Sequence, residues 1–114
     1  MENADQFRYG SESALIDEGM ALQFLRCGLR VLFTTKRIRV EAAIQHMRNA
    51  CERPGGVSVK IRGSWILRTD EKGGILFVTA QTLDRAIKGQ TFDRLCGWVL
   101  DPISEQIARQ QLRD

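Results

Sequence analysis

The sequence predicts an α+β fold: a small antiparallel sheet packed by three to four helices, in the order α-β-α-β-β-α-α. Three observations carry that prediction. Residues 57–68 alternate, with Val57, Val59, Ile61, Gly63, Trp65 and Leu67 on one parity and Ser58, Lys60, Arg62, Ser64, Ile66 and Arg68, polar or basic except for Ile66, on the other. Such a period of two is the mark of a strand with one buried face. Val40, Ala43, Ile44, Met47 and Cys51 instead fall on one face at helical spacing, and Phe92, Leu95, Cys96 and Val99 repeat that spacing near the end of the chain.

Taken in order, residues 1–10 are polar apart from Phe7 and Tyr9 and read as a loose arm, leaving 11–114 as a single α+β domain. Ser11 or Ser13 can cap a first helix whose early acids, Glu12, Asp17 and Glu18, suit the positive end of its dipole. Its apolar arc is broad, and Gly28 is placed to end it. Residues 29–35 are rich in β-branched and aromatic side chains and form a short strand candidate. A second helix follows from about Ile38 to Arg53, stopped by Pro54-Gly55-Gly56.

The alternating run then turns at Asp70-Glu71-Lys72-Gly73 and returns through Ile75–Thr79, giving a long hairpin over 57–80. The return strand is apolar on both faces and so belongs inside the sheet. Thr82 opens a short helix carrying Leu83, Ala86 and Ile87, and Thr91 opens another. Asp101-Pro102 is an N-cap followed by a first-turn proline, starting the last helix.

With 114 residues, 43% hydrophobic and 27% charged, the chain has the make-up of one globular unit, not of a disordered or fibrous one. No apolar run approaches the roughly 18 residues of a membrane span. The first residues are acidic and polar, unlike a secretory leader, and three widely spaced cysteines argue against a disulfide framework. A cytoplasmic protein is expected.

Local chemistry for catalysis is sparse. The single histidine, His46, falls on the polar side of the second helix, and no nucleophile elbow accompanies it. Cys27, Cys51 and Cys96 lack the short spacing of zinc ligands, and neither Gly55-Gly56 nor Gly73-Gly74 belongs to a phosphate-cradling loop. No catalytic residue, metal, cofactor or small-molecule substrate is therefore inferred.

Charge is the informative property. The net +3 conceals one base against five acids in residues 1–25, ten bases against two acids in 26–68, and six against seven in 69–114. Lys60, Arg62 and Arg68 share the solvent parity of the long strand and would form a basic stripe. Lys36, Arg37 and Arg39 precede the second helix. If that helix begins at Lys36 they crowd its positive end, as at a phosphate site; if it begins at Val40 they lie in a loop and Glu41 satisfies the dipole.

The expected function is a small non-enzymatic accessory or regulatory protein that binds a polyanion, most simply nucleic acid, through Lys36, Arg37, Arg39, Lys60, Arg62 and Arg68. The alternative is a protein-interaction module, such as an adaptor, inhibitor or mobile-element accessory protein. It would meet an acidic partner or form a homodimer, with Trp98 and Arg94, both off the apolar stripe, as the interface.

Overall fold

A computed structural model describes residues 11–97 and 101–113, with side chains from Glu18 onward in the first helix. The expected arm over residues 1–10, and Trp98 with Val99, lie outside the described residues. The elements are α1 (Ser11–Arg26), β1 (Arg30–Thr34), a 3-10 turn (Arg37–Arg39), α2 (Val40–Cys51), β2 (Val59–Arg62), β3 (Trp65–Arg68), β4 (Gly74–Val78), α3 (Leu83–Ala86), β5 (Arg94–Gly97) and α4 (Pro102–Arg109).

The sheet is five-stranded and mixed, in the order β2-β3-β4-β1-β5. β1 runs parallel to β4 on one side and β5 on the other, while β2, β3 and β4 form an antiparallel meander. This corrects the expectation of an antiparallel sheet. The physical reason lies in burial: every residue of β4, and all of β1 after Arg30, is buried, as parallel strands covered by helices on both faces must be.

Two apolar layers sandwich the sheet. On one face Val31, Phe33, Ile75, Phe77, Ile66 and Val59 meet Ala21, Leu22 and Leu25 of α1 and Ala43, Ile44 and Met47 of α2. On the other, Leu32, Leu76 and Val78 meet Leu83 and Ile87 near α3, Phe92, and Ala108 of α4. The alternation of β1 and β4 therefore feeds two cores at once. Among the described residues no helix is long and apolar enough to cross a membrane.

Two further expectations are corrected. The run 57–68 is two strands, because Gly63-Ser64 forms a two-residue hairpin loop with Gly63 at φ 59°. A positive φ at the first loop residue alone suits the type II′ turn, which favours glycine there. The segment carrying Phe92, Leu95 and Cys96 holds the strand β5, not a helix. Leu95 and Cys96, both half-buried, pack against opposite layers, so a strand with apolar residues on both faces mimics helical spacing. At its end the chain presses on β1: a Cβ on Gly97 (φ 104°) would lie 2.0 Å from the Thr34 carbonyl oxygen.

The remaining elements follow their local signals. α2 begins at Val40 with Glu41 in its first turn, behind the 3-10 turn of Arg37–Arg39. Asp101 caps α4, accepting from the Ser104 amide at 2.9 Å, and its carboxyl is held below the usual range by the Ser104 amide and hydroxyl.

Candidate functional site

The crossovers define where an opening must lie. β1 continues into α2 on one face of the sheet, and its parallel neighbour β4 continues into α3 on the other. Where adjacent parallel strands send their connections to opposite faces, the chains part and leave a crevice at the carboxyl ends of the strands. A crevice of about 850 Å³ lies there, lined by residues Thr34 to Ile38, Val40 and Glu41 after β1, Thr79 to Thr82 after β4, and Ser64 and Phe77 beside them. The volume falls within the roughly 300–1,000 Å³ typical of ligand sites.

Its walls are fixed by backbone bonds. The Thr35 amide donates to the Val78 carbonyl at 2.9 Å, carrying the β1–β4 pairing one residue beyond the strands. The Phe77 amide donates to the Ser64 carbonyl at 2.9 Å and ties the β2–β3 loop to β4. Across the opening, the Thr79 amide donates to the Thr82 hydroxyl at 3.0 Å, and the amides of Thr82 and Leu83 donate to the Thr79 carbonyl, closing the first turn of α3. The Thr34 hydroxyl donates to the Cys96 carbonyl at 3.2 Å.

Lys36 and Arg37 line the crevice, with Glu41 as the one acid among its lining residues. Arg39 follows on the 3-10 turn, and Arg62 stands two residues before Ser64, in the cross-strand row of Trp65 and Leu76. No hydrogen bond or ion pair engages the side chains of Arg37, Arg39, Lys60 or Arg62 among the described residues. Ile38, between two of the arginines, is 88% exposed.

Arg68 does not join this group. The hairpin register pairs it with Val59 and pairs Arg62 with Trp65, so the loop at Gly63-Ser64 breaks the expected stripe and turns Arg68 to the opposite face. There Arg68 Nη1 donates to the carbonyls of Leu25 (3.0 Å) and Arg26 (2.7 Å) at the end of α1, and Nε donates to Asp70 Oδ1 at 3.0 Å. The Asp70 carboxyl is held below its usual range by that bond and by the Lys72 amide. Lys60 shares the face of Arg62 but sits two residues earlier in β2, opposite Leu67.

Other cations of the same block are engaged inside the fold. The Arg30 guanidinium lies 4.8 Å from the Trp65 ring centroid and 5.4 Å from that of Phe92, and donates to Gln90 Oε1 and the Thr91 carbonyl. Burial lowers its pKa, reinforced by Arg113 and opposed by Asp93. Arg48 pairs with Glu52 one turn along α2. Of the two expected interface residues, Arg94 places its guanidinium 5.2 Å from the Phe24 ring centroid, and Trp98 lies outside the described residues.

His46 is not a free surface histidine. Its Nδ1 lies 2.5 Å from Oε1 of Glu18, whose side chain is only 8% exposed, so the pair joins α1 to α2. Among the described residues no three histidine, cysteine or carboxylate groups gather as a metal site would require.

Sequence reasoning reached Lys36 and Arg37 but missed the threonines around them. The available signal was positional: Thr34-Thr35 and Thr79 each close a strand that is apolar on both faces, where a parallel sheet opens to ligands. Compared with protein-family models, curated proteins and solved structures, the chain matches none.

Proposed function

We propose that this protein binds nucleic acid through the cationic rim of the crevice at the carboxyl ends of β1 and β4, as a non-enzymatic accessory or regulatory factor. One observation carries the reading: Lys36 and Arg37 line a crevice at a topological switch point, with Arg39 and Arg62 on the adjoining surface. Guanidinium groups not held by the fold are free to meet phosphate oxygens in bidentate fashion. Lys60 extends the same exposed face and adds a non-specific contact. Arg68 has no part in it, being held by carbonyl oxygens and Asp70.

The test is a titration of labelled nucleic acid at low and moderate salt. Binding weakens steeply as salt rises, and the charge reversals Arg37→Glu and Arg62→Glu each weaken it further. No binding at low salt overturns the reading. A second reading, a protein partner seated on the same rim, is favoured by Ile38, whose exposed side chain contributes apolar surface among the charges. A dimer in light scattering that is lost in Ile38→Asp, with no nucleic-acid binding at low salt, supports that alternative.

A further inference from the structure

Thr35 is 6% exposed and lines the crevice, yet among the described residues its hydroxyl neither donates to nor accepts from any group. The other buried threonines differ: the Thr34 hydroxyl donates to the Cys96 carbonyl, and the Thr79 hydroxyl meets that of Thr82 at 3.2 Å. Buried polar groups are nearly always satisfied, so a hydroxyl at an opening without a protein partner is completed from outside the fold, by solvent or by a ligand atom. The walls beside it are of two kinds. Arg37 and the hydroxyl of the exposed Ser64 suit phosphate and sugar oxygens, while Ile38 and Val40 suit a flat apolar ring.

From this we infer that the crevice admits one unpaired nucleotide, with Thr35 donating to its sugar-phosphate and Arg37 meeting the phosphate charge. The inference rests on the nucleic-acid reading above and adds a preference for single strands. A duplex keeps its bases stacked inside and can touch only the cationic rim, whereas a single strand can turn one residue into the opening. Thr35 is then a binding residue whose hydroxyl exchanges solvent for the strand.

The experiment compares a fluorescein-labelled mixed-sequence DNA strand with the same strand annealed to its complement, using the wild-type chain, Thr35→Val and Thr35→Ser. The strand should bind wild type more tightly than the duplex at equal salt. Thr35→Val should weaken strand binding roughly five- to tenfold and leave duplex binding unchanged, and Thr35→Ser should restore it. The free Thr35→Val protein should melt no lower than wild type, because valine keeps the shape and removes no bond. Equal affinity for strand and duplex, or strand binding by Thr35→Val equal to wild type, overturns this inference while leaving the nucleic-acid reading intact. A Thr35→Val protein that melts lower and binds normally assigns the hydroxyl to the fold instead. Absence of salt-dependent binding of either probe overturns the underlying reading and this one with it.

Discussion

Arginines at the two ends of the parallel strands live under opposite conditions. At the amino ends of β1 and β4, Arg30 stacks on Trp65 and Phe92 and Arg68 is held by the last carbonyls of α1. At the carboxyl ends, Arg37, Arg39 and Arg62 have no hydrogen-bond or ion-pair partner among the described residues. The chain supplies the same side chain to both, and local geometry decides its use. Where helix-end carbonyls, a carboxylate or aromatic faces converge, a guanidinium becomes a structural strut; where two crossovers part, it stays available to an outside anion. The dense positive charge of residues 26–68 is thus divided between a group held by the fold and a group without hydrogen-bond or ion-pair partners among the described residues.

The largest break in this comparison should come from Arg68→Ala. It removes a donor from two carbonyls at the end of α1, of which Leu25 keeps the Gly28 amide, and breaks charge-assisted bonds made by a side chain that is 15% exposed. A loss of about 2–3 kcal/mol is expected, seen as a lower urea midpoint with an unchanged slope. Arg30→Met keeps much of the stem packing but loses the ring contacts and the bonds to Gln90 and Thr91, and should cost about 1–2 kcal/mol by the same measurement. Arg37→Ala and Arg62→Ala should leave stability within about 0.5 kcal/mol, since no bond of the fold is removed.

The smallest effect concerns pH. The Asp70 carboxyl titrates below its ordinary value chiefly through the Arg68 bond, so it binds protons more readily in the unfolded chain. Its stabilisation is complete above the ordinary carboxylate range and is lost as pH falls through that range to the depressed value. The melting temperatures of wild type and Arg68→Ala should therefore draw slightly closer as pH falls through the ordinary carboxylate range than they stand at neutral pH.

Much of the fold was legible because local chemistry and tertiary structure agree. The strand over 29–35, the amphipathic face of α2, and the Asp101-Pro102 start of α4 all stand where their residues predict. The failures share one cause. β4 is buried on both faces and so, though legible as a strand, gives no sign of its parallel pairing; β5 sends Leu95 and Cys96 into opposite layers, so it shows no alternation and Phe92, Leu95 and Cys96 fit helical spacing equally well. The hairpin at Gly63-Ser64 was hidden for a related reason. Reversing the chain there pairs Ile61 with Ile66, which have opposite parity in sequence but share the α2 side of the sheet. That reversal is also why the basic stripe was misassembled, and why the crevice, a product of crossover direction, could not be read from composition.

The central claim, that cations at the carboxyl end serve an outside polyanion while others of the same block serve the fold, is tested most directly by salt dependence. Arg37→Ala and Arg48→Ala each remove one positive charge from neighbouring elements, but Arg48 already pairs with Glu52. The account predicts that the slope of log Kd against log salt flattens by about one for Arg37→Ala and is unchanged for Arg48→Ala. Equal slopes for both variants, or no binding by the wild-type protein, would contradict it.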